Sequence, residues 1–346
     1  MKFGNIFEAY GHLKDKKREV KNAEQVQEFN GIDPAVFKTF FELQVKLEKE
    51  GAAMGGGMDY HAYARRMWTD LVGPIDENSE TSFKQFEDAL ISGLHDIDMR
   101  PNVYEHVTEN MVALIRQYQD RIKNTAIWST GDVESTAYQV GKIESSEIVK
   151  LYHRALKEAT SKEETKDIIK EKTSYLVADE KFQALAQYVE GVFTKNSEEK
   201  VKIVIVEDSR GNFKKVEDTL AKVFGERASQ IEVVPIWVTY SREGKQAEEK
   251  AAASDEARDA LAQEKVKLNA VDSFAELLDE SRFGDKFEGA HVFVDFDGVV
   301  GNNIKMRDEQ ARVTYNALMS AATKLTGKKE EELLGTIKSK ISNSSK

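Results

Sequence analysis

Between residues 125 and 238, short apolar stretches alternate with helically spaced ones, and this restricts the fold more than any other feature of the chain. "TAIW" (125–128) leads into helical spacing through Leu151 and Leu156. "SYLVA" (174–178) leads into Leu185 and Val189, and "VKIVIVED" (201–208) into Val216 and Leu220, before "EVVPIWV" (232–238). Parallel strands need long crossovers, usually helical, so regular strand–helix alternation is the pattern of a parallel sheet with helices on its faces. "HVFVD" (291–295) adds a fifth strand. The expectation is an α/β fold around a five-stranded parallel, Rossmann-like sheet.

The flanks differ. Residues 1–120 carry helical spacing and almost no β-branched runs. Asp33 and Pro34 suit an N-cap and a first-turn proline, and Val36, Phe37, Phe40, Phe41, Val45 and Leu47 continue as an apolar stripe. "GAAMGGGM" (51–58) is too glycine-rich for an element interior; it follows no strand, so it predicts a connector rather than a phosphate cradle. Tyr60 to Leu71, Phe83 to Leu94 and "RPNVYEHVTENMVALIRQYQDRI" (100–122) resume helical spacing. Val313, Leu318, Met319, Ala322 and Leu325 form one more stripe near the other end. The charged, alanine-rich stretch 242–267 predicts a solvated helix or mobile insertion without chemistry.

Bulk properties narrow the function. The 346 residues and 40% hydrophobic content suffice for one α/β core plus an accessory part. With 61 acidic against 50 basic residues, the net charge of -11 argues against nucleic acid as a general partner. Absence of cysteine excludes disulfides and thiolate zinc sites, and the six histidines show no metal-ligand spacing. No apolar run approaches the roughly 18 residues of a membrane span, and the first residues lack the apolar core of a signal peptide. A soluble, cytoplasmic protein is expected, with Trp68, Trp128 and Trp237 serving as packing residues.

Ligands of open parallel sheets sit outside the carboxyl ends of the strands. Asp295 and Asp297 follow one such strand, Ser129 and Thr130 another, and Glu207 and Asp208 a third, while Lys181 lies just past "SYLVADE". Carboxylates gathered at one point repel one another unless a cation neutralises them, and oxygen ligands suit a magnesium ion that also holds a phosphate.

These residues resemble the motifs of the haloacid dehalogenase-like hydrolases, most of which are magnesium-dependent phosphatases. "VFVDFDGVV" fully matches the family's first motif, an apolar strand ending in Asp-x-Asp-Gly. The resemblance implies that Asp295 is the nucleophile that takes a phosphoryl group and Asp297 the acid and base. It implies that Ser129 or Thr130 is the second-motif hydroxyl and Lys181 the third-motif lysine. It implies magnesium held by Asp208 with Glu207 or Asn212 in support, together with Asp295 and the backbone carbonyl of Asp297. The implied partner is a small phosphorylated substrate.

The order departs from the family: second motif at 129, third at 181, fourth at 208 and first at 295. A circular permutation restores it. The chain then appears opened inside a helical cap, with residues 1–100 as cap, 101–304 as the α/β core and 305–346 as a helical segment packing with the cap. "TAIW" and "KIVIV" should flank a central "HVFVD", with "SYLVA" and "EVVPIWV" outside them. "VKIVIVEDSRGNFKKVEDTLAKVF" also resembles the start of a response-regulator receiver domain. A receiver-like phospho-acceptor instead requires a central "KIVIV" and a "TAIW" in another domain. A catalytically idle relative that binds through its helical part is the third alternative.

Overall fold

The computed structural model describes residues 2–5, 60–118, 120–130, 142, 143, 146, 173–178, 180–195, 200–329, 332, 333, 335 and 339. The stripe from Asp33 to Leu47, "GAAMGGGM" and the helical spacing through Leu151 and Leu156 lie outside the described residues. The chain divides into two compact units, Met1–Lys17 with Met99–Ile304, and Arg18–Asp98 with Lys305–Lys346.

The first unit is built on a six-stranded sheet. In chain order it contains β1 (Lys2–Asn5) and, past the second unit's α1 (Tyr60–Leu71) and α2 (Glu80–His95), α3 (Glu105–Tyr118), β2 (Asn124–Thr130) and β3 (Thr173–Ala178). α4 (Lys181–Lys195), β4 (Val201–Glu207), α5 (Arg210–Phe224), β5 (Ile231–Trp237), α6 (Arg242–Ala251), α7 (Asp255–Lys267), α8 (Glu280–Phe287) and β6 (Ala290–Asp295) follow. The spatial order is β1-β3-β2-β6-β4-β5, and every pairing from β3 to β5 is parallel.

β6 therefore lies between β2 and β4, in the order expected for "HVFVD". The receiver arrangement is not observed, since "TAIW" pairs directly with β6 in the same sheet. One other expectation needs correction. Residues 2–5, placed in a helical layer, form a strand that pairs antiparallel with β3, so the sheet has a sixth member. Four residues carry little periodicity, and an edge pairing is set by the partner strand rather than by local spacing. Stretch 242–267 is helical, the first of its two expected forms, as α6 and α7, each started by a serine whose hydroxyl accepts a backbone N–H: Gly244 for Ser241 and Ala257 for Ser254.

Burial explains the strand sequences. All six residues of β6 are buried, and β4 is buried at every position but one, so both faces of the sheet are covered. β5 alternates in burial and carries Pro235, which an edge strand tolerates because it need not donate on its outer side. α4 turns Leu185, Val189 and Phe193 inward, and α5 turns Phe213, Val216 and Leu220 inward. Both sets join Trp128, Ile203, Ile205 and Phe293 in one apolar cluster.

The second unit contains α1, α2 and α9 (Asn303–Thr326) from residue 305 onward. Trp68 of α1 is fully buried, 5.9 Å from Phe83 and 5.8 Å from Phe86 of α2 between ring centroids. Tyr63 and Thr314 join α1 to α9 through a 3.2 Å hydroxyl contact. Gly93 lets α2 approach α9, since a Cβ there would lie 2.6 Å from Val313 Cγ1. Among the described residues no helix is long and apolar enough to cross a membrane.

Phe293 is fully buried at the centre of β6 and belongs to the main cluster. Phe293→Ala is expected to destabilise the first unit by about 3–5 kcal/mol, read by denaturant unfolding; a loss under 1 kcal/mol would contradict this placement of the core.

Candidate functional site

Three segments meet at the carboxyl end of the sheet. β6 closes on Asp295 and β4 on Glu207, Asp208 follows β4, and Lys181 opens α4. The register sets Val206 beside Val294 and Trp128 beside Asp295, so the strand ends are level. Glu207, Asp208 and Asp295 are buried, with carboxylate oxygens within 4.8 Å of one another.

Lys181 binds this group together. Its Nζ donates to Asp295 Oδ1 at 3.0 Å and to Glu207 Oε2 at 3.1 Å, and it sits 4.4 Å from the centre of the Trp128 ring. Trp128 in turn donates from Nε1 to the Lys181 carbonyl at 3.2 Å, which fixes the ring under the ammonium. Glu207 Oε1 accepts the backbone N–H groups of Asp208 and Ser209, both at 3.2 Å, and Trp237 Nε1 donates to the Asp208 carbonyl at 2.9 Å.

Burial and mutual repulsion decide the protonation. Burial, then Glu207, pushes Asp295 well above the usual carboxylate range, and Lys181 pulls it back only in part. Asp208 is pushed up by burial, by Glu207, by Asp295 and by Glu243 in the first turn of α6. Burial alone would lower Lys181, but Asp295 and Glu207 outweigh it and hold the ammonium charged.

Asp297 stands apart. Its Oδ1 accepts from Lys142 Nζ at 2.6 Å, with Lys142 buried and the Asp297 side chain 30% exposed. A tight turn holds it: Phe296 N–H donates to Trp128 O at 3.1 Å, and Gly301 N–H to Phe296 O at 2.7 Å. Gly298 has φ +88°, which favours glycine.

Of the residues singled out from the sequence, Asp295, Glu207, Asp208 and Lys181 are brought together, with Asp297 two residues beyond the first. Ser129 is buried at the end of β2, next to Trp128, and Thr130 is half-buried as its last residue. Asn212 lies half-buried in the first turn of α5, and none of the described contacts of the cluster reaches it. Lys142 and Glu243 were not foreseen. Neither follows an apolar strand, and nothing in a single lysine or glutamate among so many distinguishes it.

Three carboxylates against one ammonium leave two negative charges if all are ionised. An all-oxygen, buried, electron-rich set of this kind can hold a hard divalent cation. No family model matches the chain, and no curated protein or solved structure matches it either.

The raised carboxyls give a pH signature. The folded protein retains protons on Asp208 and Asp295 above pH 3.8, where the unfolded chain has released them, so metal-free stability falls as pH rises from there toward the folded values. Asp208→Asn removes one repelling charge and is expected to raise the metal-free Tm at pH 7 by about 2–4 °C, the shift that ~1 kcal/mol gives in a unit of this size. It should also flatten the pH dependence. Thermal melts in chelator check both; a lowered Tm would mean that the carboxylate stabilises the fold.

Proposed function

We propose that the protein is a magnesium-dependent phosphomonoesterase working through an aspartyl phosphate, and that its core is a circularly permuted relative of the haloacid dehalogenase-like hydrolases. The observation that carries this is Lys181 bridging Asp295 and Glu207, with Asp208 alongside, at the end of a central strand. The strand order β3-β2-β6-β4-β5 adds support, because it sets the four motif-bearing segments around β6 although the chain meets them as 129, 181, 208 and 295.

In this proposal Asp295 attacks phosphorus through the oxygen not bound to Lys181, while the bond from phosphorus to the leaving alcohol breaks. Asp297, protonated on the oxygen that Lys142 does not contact, gives that proton to the alcohol oxygen. A water oxygen then bonds phosphorus as Asp297 takes a proton from it, and the acyl–phosphate bond breaks to return the Asp295 carboxylate and release inorganic phosphate. Lys181 stays beside Asp295 throughout and favours its anionic form against burial and Glu207, as magnesium would further. Ser129, or Thr130 at the last position of β2, would donate to a phosphoryl oxygen. Magnesium, held by Asp208 and Asp295 with Glu207 in support and the Asp297 carbonyl adjoining, would neutralise charge on the phosphoryl oxygens. Glu207 is the weaker ligand, since both its oxygens already accept hydrogen bonds.

The test is phosphate release from a panel of phosphomonoesters by the full chain. Activity is expected with magnesium, and turnover in excess chelator would refute the metal requirement. Asp295→Asn is expected to reduce turnover to background with the fold intact, because the amide is nearly isosteric but a poor nucleophile. Asp297→Asn should lower kcat by roughly 10²–10⁴-fold through lost proton transfer. Unchanged activity in the Asp295 variant would exclude the covalent route.

A further inference from the structure

Three aromatic rings that the phosphatase chemistry does not use gather at the turn after β6. Tyr104 and His106 come from the start of α3, and Tyr240 from the segment after β5. All three are half-buried. Tyr104 and Tyr240 meet edge to face at 5.1 Å and 76°, His106 and Tyr240 at 4.7 Å and 88°, and Tyr104 and His106 at 5.6 Å.

Two hydrogen bonds fasten this group to the turn that carries Asp297. Tyr104 N–H donates to the Val300 carbonyl, and the Tyr240 hydroxyl to the Val299 carbonyl, both at 2.9 Å. Burial and the Asp208 charge push the Tyr104 phenol up to about 12, and burial, Tyr104 and Asp208 raise Tyr240 as well. Burial lowers His106, so its ring is neutral at pH 7. These are uncharged, planar side chains, and two of the three residues are hydrogen-bonded to the turn that carries Asp297. A phosphoryl group seated on Asp295 would have its alcohol oxygen directed at Asp297, so the alcohol extends along the turn to which the rings are tied.

We infer that Tyr104, His106 and Tyr240 select the leaving alcohol, and that the preferred substrates are phosphomonoesters whose alcohol carries a planar aromatic ring. This rests on the phosphatase proposal. Rings stack or meet edge to face with a planar partner, whereas a saturated ring of similar size offers only apolar contact.

Benzyl and cyclohexylmethyl groups separate planarity from bulk and leaving-group chemistry, because both esters are phosphates of primary alcohols. Calorimetric titration of the full chain in magnesium compares the non-hydrolysable benzylphosphonate and cyclohexylmethylphosphonate. The benzyl compound is expected to bind about three- to tenfold more tightly, and kcat/KM for the corresponding phosphates should show the same ratio. Tyr104→Leu should bring the binding ratio toward unity, and Tyr104→Phe should preserve it, since the ring and not the hydroxyl is responsible. Equal affinities in the unaltered protein, tighter binding of the saturated ring, or binding of neither overturns the inference without need of a variant. A clear binding preference with no turnover of any phosphomonoester would remove the transfer chemistry and leave the ring selection standing. Turnover of both esters with equal kcat/KM and equal phosphonate affinity would do the reverse.

Discussion

The buried ammonium of Lys181 is the interaction on which the rest of the site depends. Moving one charge out of water costs several kcal/mol, and here an ammonium and at least two carboxylates are taken out together. Lys181 also opens a helix, where the macrodipole disfavours a cation. Neither circumstance favours a lysine for stability alone. What holds it there is the pair of carboxylates at 3.0 and 3.1 Å and the Trp128 ring beneath it. The converse also applies, because without that ammonium Glu207, Asp208 and Asp295 would face one another in a desolvated space with nothing to offset their repulsion. The apolar cluster of β2, β4, β6, α4 and α5 has to supply the stability that this polar group consumes.

The sheet order turns four remote segments into neighbours. Asp295 and Glu207 lie 88 positions apart in sequence, yet they end adjacent hydrogen-bonded strands whose register differs by no more than one residue at that edge (295 − 207 = 88). The precision comes from the parallel ladder. Side chains at the ends of buried strands inherit fixed positions, whereas a loop would leave them mobile. β6 is buried along its whole length, so the residue it delivers is held by the most constrained backbone in the unit.

Much of this was legible because buried parallel strands announce themselves as apolar runs. "KIVIV" and "HVFVD" leave few alternatives, and the polar residues that terminate them stand out against what precedes them. The strand neighbours followed only by way of the resemblance, since periodicity says nothing about which strand pairs with which. Residues supplied from outside strand ends were not legible. Lys142 is one of 50 basic residues, and what sets it apart, its burial and the Asp297 carboxylate 2.6 Å from its Nζ, belongs to the fold. Tyr104 lies in a stretch read as part of an amphipathic helix, where an aromatic ring is ordinarily core. The four residues of β1 are too short for a pattern, and they owe their conformation to β3.

The turn after β6 ties chemistry to recognition. Within residues 296–301, Phe296 is bonded to the end of β2, Asp297 projects to Lys142, and Val299 and Val300 hold Tyr240 and Tyr104. Two glycines make the turn this tight: Gly298 through its positive φ, and Gly301 because a Cβ there would come 3.3 Å from the Phe296 carbonyl oxygen. A side chain at 298 would be strained by the positive φ, and one at 301 would need the Phe296 carbonyl to give by a few tenths of an ångström. The same turn carries the carboxyl of Asp297 and the carbonyls that bind Tyr104 and Tyr240. The proposed acid and the proposed selector of the alcohol are therefore fastened to one short turn, which suits proton transfer to a bound leaving group, because the donor has to keep its distance to an oxygen that the rings position.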